Sequence, residues 1–376
     1  MYLDTRVIES ANVIEYYIVA ASQTDLPLQK KAEEIFSGIS NTLRAAGAWI
    51  FEERVFATEN AMDVIVPVRK KAYGDLDDGV GPTCLVVPDG TYGEIAGVQV
   101  HAISYSQKPK VLMLNGKACG RTLRYNGKKY LSLSCISADK AGQDVEQARA
   151  MFEKTESALR QSGGDMRSVV RTWIWLDDIL CWYKDFNKVR TQFFNERGLI
   201  KEIGKHHLPA STGIGAVPAG GEKCALDLFA VVGDQDSTKF YLKGGEQSSA
   251  FDYGSAFSRA SRTTTPAGEA VFVSGTAAVD QNGATEHVDD IINQIKSTIN
   301  HLRAILKDAG CRDQEIVQMI AYCKTVKVEK VFRKMCDDLK WPIITAICDI
   351  CRDNLLFELE AIAYPGARIR SLRPSL

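Results

Sequence analysis

A chain of 376 residues with 46 Lys and Arg against 47 Asp and Glu carries a net charge of -1, so it offers no field of one sign to hold nucleic acid or an anionic membrane surface. Hydrophobic content of 45% and charged content of 25% are ordinary globular values that exclude disorder as the main state. At roughly 100–200 residues per domain, the length predicts two to four domains.

In chain order, apolar periodicity predicts a strand over 13–21, a helix over 27–46 stopped at Gly47, a strand over 49–57, a helix near 59–73, and strands over 82–87 and 95–103. The same order returns as a strand over 130–136, a helix over 144–161 ending at Gly163-Gly164, a strand over 169–176, a helix over 179–197, and strands over 212–217 and 224–232. It returns a third time as a strand over 270–279 and a helix over 287–310, where Ile291, Ile292, Ile295, Ile299, Leu302, Ile305 and Leu306 recur at helical spacing. A strand over 316–326, a helix over 328–339 ended by Trp341-Pro342, and strands over 343–351 and 355–363 complete that copy.

Each copy reads as an α+β unit whose two helices cover one face of a mixed sheet. The other face needs a partner, and three such units can supply it to one another around a pseudo-threefold axis. The expected architecture is an intrachain pseudo-trimer of units 1–108, 109–236 and 237–376, with linkers near 107–109 and 234–243. Two copies can then lose a site that the third keeps.

Ten cysteines are too sparse for a disulfide scaffold, and Cys84, Cys135, Cys224, Cys323 and Cys348 sit in apolar runs that read as buried thiols. Cys348 and Cys351 form a C-x-x-C within or at the end of a strand rather than at the start of a helix. Of five histidines only His206 and His207 are adjacent, which argues against zinc. Neither G-x-G-x-x-G nor G-x-x-x-x-G-K-[ST] is present, and no metal or organic cofactor is expected. No apolar stretch approaches the roughly 20 residues that span a bilayer, and Met1–Arg6 lacks the basic and apolar regions of a signal peptide. A cytoplasmic protein with no nucleic-acid or membrane partner, a monomer or homodimer, is expected. Trp173, Trp175 and Trp182 read as core or interunit packing.

The length and order of each unit, and the run Phe357-Glu358-Leu359-Glu360-Ala361-Ile362-Ala363 closing the third, resemble the Rid (reactive intermediate deaminase) superfamily, whose members are homotrimers with ligand clefts between subunits. The chain is similar above all to the chorismatases, which carry tandem Rid-like units. The similar segments are Pro209-Ala210-Ser211-Thr212-Gly213-Ile214-Gly215, Phe257-Ser258-Arg259-Ala260, Phe272-Val273-Ser274-Gly275-Thr276-Ala277, 287–294 and 349–360. They cover the second half of the chain well and the first hundred residues hardly at all.

The resemblance implies that Glu358, first glutamate of the closing strand, is the catalytic acid. The equivalent positions read as Ala225 in the second unit and Gln99 in the first, which leaves one working cleft. It further implies a small carboxylated substrate bound by Arg259, with Tyr253, Phe257, Ser274, Gly275, Thr276, Cys351, Ser211, Thr212 and Gly213 lining the cleft. Deaminase-type members place an arginine about fifteen positions before the glutamate, and here 342–345, 209–211 and 82–84 contain none. Asp252, where chorismatases carry an arginine, is expected to repel a dicarboxylate. Arg352 and Asp353 are expected to pair with each other or cap a chain reversal.

An enolpyruvyl ether is hydrolysed by protonating its methylene carbon, so the chemistry calls for a carboxyl with a raised pKa, which the apolar neighbours Phe357 and Leu359 are expected to supply. Glu358 and Glu360 lie two apart and share one strand face. The expected function is release of pyruvate from chorismate or a related cyclic enol ether, with enamine or imine hydrolysis by Glu358 and water, or metabolite binding without turnover, as the alternatives. The endoribonuclease name attached to some Rid proteins lacks a basic patch here.

Overall fold

The computed structural model describes residues 1–22, 25–138, 142–201, 206–233 and 237–372. Unit 1 comprises β1 (Tyr2–Glu9), β2 (Ile14–Ala21), α1 (Leu28–Ala46), β3 (Trp49–Ala57), α2 (Glu59–Tyr73), β4 (Thr83–Val86) and β5 (Ile95–Ser104). Unit 2 comprises β6 (Lys110–Leu114), β7 (Lys117–Tyr125), β8 (Lys128–Ser137), α3 (Asp144–Gln161), β9 (Val169–Leu176), α4 (Ile179–Glu196), β10 (Ala210–Ile214), β11 (Val217–Pro218) and β12 (Cys224–Val232). Unit 3 comprises β13 (Lys239–Tyr241), β14 (Ala260–Thr265), β15 (Gly268–Ala277), α5 (Ile291–Asp308), β16 (Ile316–Cys323), α6 (Val326–Met335), β17 (Ile343–Ile347), β18 (Phe357–Ala363) and β19 (Arg370–Leu372).

The repeat is longer than its apolar periodicity predicts. An antiparallel strand or hairpin precedes each unit's first predicted strand: β1, the β6–β7 pair, and β13–β14. These strands are short or polar on one face, as in the sequence Ala-Ser-Arg-Thr-Thr-Thr of β14. Their turns carry a readable signal nonetheless: Asn115-Gly116 and Asn126-Gly127 both adopt positive φ, which the two-residue hairpin turn requires and Asn-Gly supplies. Helix α5 starts at Ile291 rather than at residue 287, because the Asp290 side chain accepts from the Asn293 N–H and caps the helix there. Of the expected linker 234–243, residues 234–236 lie outside the described residues.

Three mixed sheets result, ordered β11-β4-β3-β5-β2-β1-β19, β10-β9-β12-β8-β7-β6 and β13-β14-β15-β18-β16-β17. The first borrows an edge strand from each of the other units. Beneath the helices lie three separate apolar clusters, and a fourth joins the opposite faces of all three sheets in the middle of the molecule. This is the α+β pseudo-trimer expected from the repeat.

Register relates the units residue by residue. The last residue of the middle strand pairs with the first of the closing strand in each: Ala57 with Ile95, Leu176 with Cys224, Cys323 with Phe357. One step further in, Phe56 pairs with Gly97, Trp175 with Ala225 and Tyr322 with Glu358. These three aromatic rings converge near the axis, Phe56 lying 5.7 Å from Trp175 and 6.5 Å from Tyr322 between centroids. The first-unit counterpart of Glu358 is therefore Gly97 rather than Gln99, since a register shift between Phe56 and Ala57 adds one residue to β5. Gln99 and Asp227 correspond to Glu360.

Candidate active site

The face of β18 that carries Glu358 and Glu360 turns away from α5 and α6, whereas Phe357 and Leu359 point beneath those helices. Glu358 is buried not by its apolar strand neighbours, as expected, but by the neighbouring unit across the axis. Its carboxyl lines a cavity of about 1050 Å³ between units 2 and 3. From unit 2 come Ser211 and Gly213 on β10 and one face of α4, including Tyr183, Asn187 and Arg190; from unit 3 come Tyr253, Phe257, Arg259, Gly275, Cys351 and Arg352.

The carboxyl rests on a gap in β15. Pairing of β15 with β18 shifts between Val273 and Thr276, and a Cβ on Gly275 would stand 2.1 Å from Glu358 Oε1. Glycine is needed there for close approach. Among the described residues no donor hydrogen-bonds the Glu358 carboxyl, which is 5% exposed. Burial first, and then the charge of Glu360, push its pKa up to about 8, against the pull of Arg171 and Arg259. At neutral pH it holds its proton.

Glu360 is occupied differently. It accepts from Trp173 Nε1 at 2.9 Å, from Arg171 Nη2 at 2.7 Å and from the Thr212 hydroxyl, all from unit 2. Its counterpart Asp227 does the same one interface on, accepting from Arg54 Nε at 2.8 Å and Thr83 Oγ1 at 2.7 Å of unit 1. The repetition marks Glu360 as an interunit clamp.

Cationic groups surround the cavity. Arg259 is buried and donates from Nε and Nη2 to the Ser248 carbonyl and from Nη2 to Tyr253 Oη at 2.7 Å. Arg352 donates to the Gly283 carbonyl at 2.6 Å and lies 5.5 Å from the Tyr253 ring centroid, while Asp353 faces Lys324 at 3.6 Å. The expected Arg352–Asp353 pairing is not formed. Arg190 is 1% exposed, its Nε has no hydrogen-bond partner, and burial pulls its pKa below the ordinary value. Among the described residues no carboxylate pairs with it. Asp252, expected to repel a dicarboxylate, is exposed and lies outside the cavity lining.

Of the residues expected in the cleft, Glu358, Arg259, Tyr253, Phe257, Gly275, Cys351, Ser211 and Gly213 line it together. Ser274, Thr276 and Thr212 do not. The Ser274 hydroxyl donates to the Ser258 carbonyl and accepts the Ser211 N–H at 2.8 Å, and Thr276 Oγ1 donates to the Ser274 carbonyl. Thr212 is spent on Arg171, Glu360 and the Gly275 N–H. Burial pushes the Cys351 thiol up to about 12, and it stays neutral; Cys348 is likewise a free buried thiol. The α4 contribution, Tyr183, Asn187 and Arg190, was missed because none of the segments that carry the resemblance includes it. The only signal was three polar residues on the face of an otherwise amphipathic helix.

The two equivalent interfaces are built differently. A Cβ on Gly97 would meet Ile344 Cγ2 at 2.7 Å, and beside it the Thr91 N–H and hydroxyl donate to Glu329. At the other, β11 adds to the edge of β4. Among the described residues no group of three His, Cys, Asp or Glu side chains is placed to hold a metal ion, and no helix is long and apolar enough to cross a membrane.

Known proteins share parts of this sequence and fold. The model of the family described as Endoribonuclease L-PSP matches residues 249–365. A RutC family protein of Pyrococcus abyssi is 28% identical over 101 residues, 26% of this chain and 80% of that protein. A solved chorismatase aligns over 95% of this chain and 99% of its own, with 18% identity and a TM-score of 0.64. A Rid-family protein of Yersinia pestis covers 34% of this chain and 98% of its own, at 17% identity and a TM-score of 0.30. The family model and the relative both fall on the third unit or a fraction of the chain of that size. The chain as a whole has the chorismatase fold.

Proposed function

We propose that the chain is a chorismatase-like hydrolase or lyase that releases pyruvate from chorismate or a related carboxylated cyclic enol ether. The observation that carries this reading is the Glu358 carboxyl: pushed up to about 8 by burial, free of hydrogen bonds from the described residues, and presented to a cleft whose charged lining groups include three arginines. In the proposed reaction Glu358 gives its proton to the methylene carbon of the enol ether, and the electron pair of the double bond forms the new C–H bond. The resulting oxocarbenium faces a carboxylate, which stabilises it. Water, or a ring hydroxyl, adds to the cationic carbon; in the hydrolytic case the hemiketal collapses to pyruvate and the ring alcohol, and the surplus proton returns to Glu358.

Arg190 and Arg259 are the proposed anchors for substrate carboxylates. A buried guanidinium without a counter-ion gains most from a bidentate anion. The test is incubation of the purified protein with chorismate, with pyruvate release followed by coupling to lactate dehydrogenase and Glu358→Gln beside it. Release by the wild type alone supports the proposal. Absence of release from a folded wild type removes chorismate as the substrate and turns the search to enamines hydrolysed through the same carboxyl.

A further inference from the structure

The reactive carboxyl belongs to unit 3, but the backbone beneath it is held from unit 2. Thr212 Oγ1, on β10, accepts from the Gly275 N–H at 2.9 Å and from Arg171 Nη2 at 2.5 Å, and donates to Glu360. A hydroxyl has one proton and two lone pairs, so all of its capacity is used and none remains for a ligand. The residue is 1% exposed, and its Cγ2 lies 3.2 Å from where a Cβ on Gly275 would stand. One side chain of unit 2 therefore touches the glycine under Glu358 on one side and the clamp residue Glu360 on the other.

We propose that Thr212 is a positioning residue for the reaction: its saturated hydroxyl ties the Gly275 backbone to Glu360 and Arg171, so that unit 2 sets where the Glu358 carboxyl rests. The inference depends on the reading of Glu358 as the reacting acid. The titratable and charged groups facing Glu358 are Glu360 on its own strand, Tyr322 on β16, Arg171 on β9, Tyr183 on α4, Arg259 ahead of β14, and Cys348 and Cys351 beyond β17. Beside Glu358, β15 contributes Gly275 and Ala277, neither of them charged. Of these groups, the two that Thr212 binds, Glu360 and Arg171, carry opposite charges.

The test uses full-length Thr212→Val, Thr212→Ser and Glu360→Gln with two readouts. One is pyruvate release, resolved into kcat and KM. The other is titration of the Glu358 carboxyl by carbon NMR of protein labelled at its glutamate carboxyls, the signal being identified by its loss in Glu358→Gln. Thr212→Val is expected to lower kcat by about 10²-fold, the scale of an ångström-sized misplacement, with KM within about threefold, and to move the Glu358 titration. Thr212→Ser, which keeps the hydroxyl, is expected to restore both. Glu360→Gln is expected to bring the Glu358 midpoint down, since it removes a neighbouring negative charge and leaves Arg171 without its partner.

Wild-type kcat and titration in a folded Thr212→Val, or a Thr212→Ser as impaired as the valine variant, would overturn the proposal. So would an unmoved midpoint in Glu360→Gln, which also serves if the valine variant does not fold. Should the wild type release no pyruvate, the reaction assigned above fails, and the titrations still decide whether Thr212 and its partners set the state of Glu358.

Discussion

Glu358 and Glu360 are chemically identical, two residues apart, and similarly buried at 5% and 6% exposure. Their surroundings differ: Glu360 meets three donors of unit 2, and among the described residues Glu358 meets none. The consequence for stability has a definite sign. Glu358 has an ordinary value of 4.5 and a folded value of about 8, so between those values folding binds a proton and the native state loses stability as pH rises. Glu358→Gln does not titrate, and its stability advantage over the wild type is expected to grow from pH 5 to pH 8 to a few kcal/mol and then level off. Urea unfolding at several pH values measures it; an advantage independent of pH would mean that the carboxyl is not held neutral. Asp252 teaches the opposite lesson at the same scale. In the sequence it stands where a substrate arginine was expected, and a short turn over Ala250–Tyr253 points the lining residues Phe251 and Tyr253 to the cleft while Asp252 remains exposed.

At the scale of elements, the site depends on one irregularity in a strand and one face of a helix. The shift in β15 brings Gly275 under the carboxyl, and a side chain there has no room unless Glu358 moves. Gly275→Ala is expected to reduce turnover about 10²-fold or more. The fold should survive, because the atom displaced is the end of a side chain and not backbone. Thermal unfolding near the wild-type value together with the kinetic loss is the expected pair of results, and undiminished turnover would show that the glycine does not position the acid. Helix α4 supplies Tyr183, Asn187 and Arg190 to the cleft from one face while Trp182, Phe186, Phe193 and Phe194 pack into the core of unit 2. The helix was legible from its period; its role was not, because periodicity shows which face is apolar and not what the polar face meets.

For the whole molecule, three homologous interfaces carry different loads. The clamp of Asp227 on Arg54 and Thr83 repeats that of Glu360 on Arg171 and Thr212, but in the third interface Gln99 donates only to the Met319 carbonyl at 3.1 Å, and Ile344 fills the space beside Gly97. Unit 1 is also fastened to unit 3 by buried Glu15, which accepts from the Thr265 hydroxyl at 2.6 Å and the Ala267 N–H at 2.8 Å. Asp227→Ala would remove the 2.8 Å partner of Arg54 and the acceptor of the Thr83 hydroxyl, leaving Arg54 with Glu52 at 3.4 Å, and is expected to cost about 3 kcal/mol. Because β11 and β19 complete the first sheet from other units, the loss should appear as one shifted unfolding transition of the whole chain. A separate early transition confined to one unit, followed by tryptophan fluorescence and circular dichroism together, would contradict that coupling.

The sequence by itself determined the helices and the inner strands, the threefold repeat, the α+β layering and the singular carboxylate in the third copy, because these follow from local periodicity and from comparing one copy with another. It also held the Asn-Gly turns that announce the extra hairpin strands, which a search for apolar runs passes over. Only the tertiary structure decided which unit faces Glu358, that Asp252 is turned away, that Thr212 holds backbone rather than lining the cleft, and that Gly97 and not Gln99 is the first-unit counterpart. The physical reason is common to all four. Each depends on register across strands or on a surface presented by a different unit, and neither distance along the chain nor side-chain period encodes what lies on the far side of an interface.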